Sequence, residues 1–158
     1  MSHLTYTIAP LPGTTTSAAL AESAGTEALG RDILFDGDFH VTAKGDYVAL
    51  QGLAALKQAI YHRLITRPGD FAYRPEYGAG VLQSVKKRLR STELSELKSR
   101  IISQLSLEDR IEEVVRVTVT RQVGGISIDL KIKARGEVVS FSSINFTEDS
   151  FITGGITI

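Results

Sequence analysis

The 158-residue chain contains no cysteine and no tryptophan, and its charge is balanced at eighteen Lys and Arg against eighteen Asp and Glu. The missing thiols exclude disulfides, thiolate catalysis and cysteine-ligated metal, and they suit a reducing compartment. The missing net charge removes any global footprint for nucleic acid or an anionic membrane, so binding of that kind would have to be local. No uninterrupted apolar run approaches the about 18 residues of a membrane helix, and the first residues lack the charged and apolar regions of a secretory signal. The expectation is a soluble intracellular product without a membrane partner. Catalytic signatures are equally scarce: there is no Gly-rich phosphate loop, no HExxH and no GxSxG, and Gly125-Ile126-Ser127-Ile128-Asp129 reads as a regular strand rather than a nucleophile elbow. His3, His40 and His62 share no ligand spacing, so neither a metal nor another cofactor is expected.

A hydrophobic content of 42% is enough for the core of one domain. Residues 1–30 are rich in Pro, Gly, Thr, Ser and Ala and read as an extended arm that orders on a partner or as a tail without a role. Three strand-like pieces follow, Asp32 to Phe35, Phe39 to Thr42 and Tyr47 to Leu50, separated by Asp36-Gly37-Asp38 and Lys44-Gly45-Asp46. Their carboxylates fit turns better than a calcium loop, because the closing Glu and the regular alternation are missing.

Gln51 to Gly80 organises the rest. Leu53, Leu56, Ile60 and Leu64 recur at steps of three and four, which predicts a helix with one buried stripe that ends near Thr66, before Pro68 and Gly69. Gln58 and His62, beside Ala55 and Ala59, are expected on an opposite face open to another chain. In the loop after it, Tyr73, Pro75 and Tyr77 are expected to pack back on the helices while Gly69 and Gly78 occupy tight turns. Val81, Leu82, Val85 and Leu89 mark a second short helix, with Lys86, Lys87, Arg88 and Arg90 at its end; the cluster reads as a solvated face or a contact for an acidic partner. A third helix spans about Thr92 to Leu107, with Thr92 as cap and Leu94, Leu97, Ile101 and Leu105 on its stripe, and Glu96 within reach of Arg100. The period then drops to two. Val115, Val117 and Val119 form one alternation, Ile126, Ile128, Leu130 and Ile132 a second after Gly124-Gly125, and a third strand runs from Glu137 to about Phe146 beyond Arg135-Gly136. The fold class is α+β, with two to three amphipathic helices on a small antiparallel meander preceded by short strands. The expected organisation is an arm over 1–30, one domain over 31–146 and an extended tail over 147–158.

Several spaced elements together resemble a known family. Asp46-Tyr47-Val48-Ala49-Leu50-Gln51-Gly52, Gln58-Ala59-Ile60, Arg63-Leu64-Ile65-Thr66, Pro68-Gly69-Asp70 and Pro75-Glu76-Tyr77-Gly78 are similar to the baseplate wedge and sheath-initiator family of contractile phage tails and injection machines. Glu108-Asp109-Arg110-Ile111 stands where that family carries Glu-Pro-Arg-Ile, with Asp109 for proline, and the basic stretch from Lys86 to Arg90 replaces a more apolar segment. The resemblance covers about residues 31 to 135. It implies a structural baseplate protein that joins wedge to sheath and templates sheath assembly, in several copies around the tail axis, assembled in the bacterial cytoplasm. Wedge proteins and the sheath protein are then the partners, with no direct contact to nucleic acid. Glu108 and Arg110 are the expected docking pair, with an internal corner salt bridge as the alternative. Phe151, Ile152, Ile156 and Ile158 form uncharged, β-branched pieces around Gly154-Gly155, and are expected to pair with a sheath strand or to fold back on their own sheet. The competing function is a peptidoglycan-cleaving, lysozyme-type enzyme using Asp70 and Glu76; a third is nucleic-acid binding through Lys86 to Arg90.

Overall fold

The structure, a computed structural model, describes residues 29–35, 38–87 and 89–147. Its elements run β1 (Arg31–Ile33), β2 (Ala49–Gln51), α1 (Leu53–Ile65), α2 (Val81–Val85), α3 (Ser91–Ser106), β3 (Glu113–Gln122), β4 (Gly125–Ala134) and β5 (Glu137–Thr147). The α+β class is the one expected. Among the described residues no helix is long and apolar enough to cross a membrane.

The stripe of α1 behaves as its spacing requires, with Leu56, Ile60 and Leu64 buried against Leu97, Ile101 and Leu105 of α3 and the inward side chains of the meander. Strand order is β3-β4-β5, all antiparallel, and α3 lies against β3 while α2 lies against β5. The four alternating apolar residues of β4, Ile126, Ile128, Leu130 and Ile132, are each at most 2% exposed, which makes this central strand the floor of the core.

Two bulges break the simple alternation in the outer strands. The register of β3 shifts between Val114 and Arg116, so Val114 and Val117 face the helices and Val115 is turned out, 44% exposed. Val115 was expected inward; the extra residue of a bulge reverses the side on which a side chain falls. In β5 the shift lies opposite Asp129, where Ser143 adopts φ +57° and its amide donates to Asp129 Oδ1 at 2.8 Å.

The face of α1 expected to be open is closed by the chain itself. Ala55 is fully buried with Leu34 and Leu50, and Gln58, 4% exposed, donates to Ile33 O and Asp32 Oδ2 and accepts from Phe35 N, all within 2.8–2.9 Å. A buried amide needs partners, and β1 supplies an edge with groups to spare. β1 and β2 pair antiparallel, but the expected strand at Phe39 to Thr42 reduces to single bridges, Phe35 to Phe39 and Val41 to Tyr47. The cap of α3 is Arg90, two residues earlier than Thr92; its amide donates to Glu93 Oε2 at 2.6 Å, the back-bond of a capping box. Arg100 directs its Nε–H to Ala79 O at 2.7 Å and so ties α3 to the loop before α2.

Leu29 packs on the main core, and Gly30 O accepts from Gly52 N, so the described chain is anchored before β1. Phe151, Ile152, Ile156 and Ile158 lie outside the described residues, as does the arm before Leu29.

Candidate functional site

Among the described residues, the corner between α3 and β3 holds the most developed electrostatic arrangement. Leu107 ends α3, and Ile111, 8% exposed, tucks into the core, which swings the intervening Glu108 and Arg110 toward α1. Glu108 uses both carboxylate oxygens: Oε2 accepts from Arg63 Nη2 at 3.1 Å and Oε1 from Arg110 Nε at 2.6 Å. The Glu108 side chain is 11% exposed, that of Arg63 10% and that of Arg110 25%. Arg110 also donates from Nη1 to Leu29 O at 3.1 Å, linking the corner to the start of the described chain. Burial by itself would push the Glu108 carboxyl up, but hydrogen bonds and charge from Arg110 and Arg63 outweigh it and hold it below the usual glutamate range. Glu108 and Arg110 thus form an ion pair within the chain, with Arg63 as its third member.

Arg63 was legible only as part of a motif. It sits three residues after Ile60 and beside Leu64, at the phase of a buried stripe, and a cation at that phase is the signal that a buried counter-charge awaits it. Its guanidinium carbon stands 4.6 Å from the centroid of Tyr77, a cation–π contact that carries the corner into the loop. Burial pushes the Tyr77 hydroxyl up, and the charge of Arg63 works against that.

The loop between α1 and α2 is locked by polar groups rather than by its rings. Gln104, at the same buried phase of α3, accepts from Gly78 N at 2.8 Å and donates to Glu76 O at 2.7 Å. Gly69 N donates to Pro75 O, Ala79 N to Arg63 O and Gly80 N to Thr66 O, closing nested turns. Gly69 at φ +93° and Gly78 at φ +104° occupy the turns expected of them. Tyr73 and Pro75, however, do not pack back: both are exposed, Tyr73 fully, and Phe71 is 52% exposed with its edge on Tyr77 at 5.5 Å. Once Gln104 has satisfied the backbone, aromatic burial is not needed to hold the loop. Arg63, Arg74, Glu76, Tyr77 and the 57%-exposed Leu107 line a shallow cleft beside it.

The remaining candidates are dispersed. Asp70 and Glu76 both lie exposed on the loop, and Asp46 closes a turn in which Thr42 N donates to its carbonyl. Among the described residues no group of three His, Asp or Glu side chains could hold a metal ion. Lys86, Lys87 and Arg90 are exposed, with Arg90 occupied as the helix cap by its backbone.

Comparison with curated proteins returned no match. Among solved structures, the chain is similar to a Geobacter sulfurreducens protein provisionally named a tail lysozyme, at 24% identity over 57% of this chain and 85% of that one, with a TM-score of 0.47. It is also similar to a chain of the anti-feeding prophage baseplate, at 18% identity over 77% of this chain and 87% of that one, again with a TM-score of 0.47. Likenesses at this level say nothing about role. The family description is more direct: the model of the contractile injection system sheath initiator matches residues 31–137, two thirds of the sequence and every element from β1 to β4, and the chain belongs to that family.

Proposed function

We propose that the protein is a non-enzymatic baseplate component that joins the wedge to the tail sheath and starts the sheath by strand addition. Family membership supports sheath initiation. The observation that carries the mechanism is the edge of the meander. Among the described strands β5 forms one edge of the meander over 11 residues, and from Val138 to Thr147 it holds no Asp, Glu, Lys or Arg. β3, the other edge, carries Glu113, Arg116 and Arg121. Natural sheets protect bare edges with charge, and an uncharged edge of this length suits an added strand, on either side of the Ser143 bulge. Main-chain bonds would supply affinity and alternate side chains the register, which is what the first ring of a repeating polymer requires.

In this reading several copies stand around the tail axis of a particle assembled in the bacterial cytoplasm. Residues 1–30 serve as an arm, 31–146 as the domain, and 147–158 as a tail in which Phe151, Ile152, Ile156 and Ile158 meet a sheath segment. Glu108 and Arg110 shape the corner presented to the wedge. Peptidoglycan cleavage is the weaker alternative, since a carboxylic acid that donates a proton near neutral pH needs a buried, apolar setting and Asp70 and Glu76 are exposed. Deleting residues 151–158 tests the templating role: particles with complete baseplates and no sheath are expected, and normally sheathed tails would refute it for that segment.

A further inference from the structure

We propose that the loop between α1 and α2, together with Leu107, is a docking surface for a segment of a different subunit that carries an apolar side chain next to a carboxylate. The proposal rests on the assembly role above and names the face on which one partner sits. Leu107 in the cleft lining is 57% exposed, Phe71, whose edge meets the cleft residue Tyr77, is 52% exposed, and Tyr73, next to Arg74 in the loop, is fully exposed. These groups project from a backbone that is already ordered. Gln104 holds Gly78 N and Glu76 O, Gly69 N is bound to Pro75 O, and Arg74 N and Tyr77 N close successive turns on Phe71 O and Arg74 O. A partner therefore meets rings whose backbone ordering entropy has been lost during folding, the condition under which a few aromatic and arginine side chains dominate an interface.

Charge selects the occupant. The single carboxylate of Glu108 is shared between Arg63 and Arg110, which gives this three-membered group one positive charge in excess, with the exposed Asp109 beside it in the chain. Arg74 adds another at the cleft, and among the described residues it forms no salt bridge. Glu76 is the one acidic side chain in the cleft lining. An incoming carboxylate would pair with Arg74 while its apolar neighbour covers Leu107, which lines the same cleft; a cationic segment would meet like charge.

The test uses particles assembled in producing cells. A photo-crosslinking residue at position 73 is expected to join another subunit within a few residues of an Asp or Glu. Arg74→Glu and Tyr73→Ser should lower incorporation of the chain at least tenfold, while each isolated variant melts at the wild-type temperature because both side chains are exposed. Reversing the crosslinked partner carboxylate to Arg should restore incorporation of Arg74→Glu. Crosslinks confined to this chain or to a second copy of it, a crosslinked segment bearing only Lys and Arg, or undiminished incorporation of the variants would each overturn the proposal. Sheath growth is scored separately: sheathed particles formed without this chain overturn the assembly role, whereas sheathed particles containing undiminished variants overturn the docking surface alone.

Discussion

At Gly78 one added carbon would disturb two elements. A Cβ there would stand 2.2 Å from Thr66 O and 2.7 Å from Thr66 C, backbone atoms that cannot swing aside, and φ is +104°. Gly78→Ala is expected to lower stability by about 2 kcal/mol or more, from the forced shift plus the strained backbone. Gly69, at φ +93°, has no atom within 4 Å of that position, so Gly69→Ala should cost only the conformational part, about 1 kcal/mol. Paired thermal melts distinguish the two, and equal losses would show that close approach is not what constrains Gly78. Glu108→Ala strands two guanidiniums in a corner only 10–25% exposed, and a loss of about 3 kcal/mol is expected. The same group predicts a pH dependence. Its folded pKa is depressed, so its stabilisation is fully present above the ordinary glutamate range and is lost as pH falls through the folded value. Burial lowers the pKa of His62, with Asp32 opposing, so the unfolded chain binds that proton first and stability already declines as pH drops below the ordinary histidine value. Denaturation midpoints against pH should show both declines; His62→Gln should remove the upper one and Glu108→Gln the lower.

Among the elements, β5 is the one whose behaviour depends most on a local irregularity. Ser143 holds φ +57° opposite Asp129, in a conformation where a Cβ costs about 1 kcal/mol. Ser143→Gly is therefore expected to raise the melting temperature slightly while keeping the bulge; a fall would mean that the serine side chain contributes more than its backbone strain removes. Sequence periodicity located the three strands because their apolar residues alternate over most of ten positions, as in Ile126 to Ile132. It could not locate the bulges, since Val115 and Val114 are the same residue type and only the pairing partner determines which faces inward. The helices were legible for the same reason of period, and their polar exceptions carried the rest: Arg63 and Gln104 each occupy a buried phase, one to meet Glu108 and one to hold the loop.

For the molecule as a whole, the corner network reaches further toward the amino terminus than an arm ending at residue 30 would suggest. Arg110 binds Leu29 O and Gly52 N binds Gly30 O, so a chain that starts at residue 31 should lose roughly 1–2 kcal/mol with those bonds relative to one that starts at residue 29. Equal stability of the two would place the boundary where composition puts it.

By itself the sequence determined the class of fold, the order of its elements from α1 to β5, the turns at Gly69, Gly78 and Gly136, and the family, because each of these is written in period, in residues that tolerate positive φ, or in spaced motifs. Only the tertiary structure decided what becomes of groups whose partners are distant in the chain. Gln58 turned from an open face to the anchor of β1 across 25 residues, Glu108 found Arg63 across 45, and the rings of Phe71 and Tyr73 stayed in water because Gln104, 26 residues from Gly78, had already ordered their loop. Local pattern records whether a side chain is apolar or polar; whether it is satisfied depends on which backbone or counter-charge the folded chain brings within 3 Å.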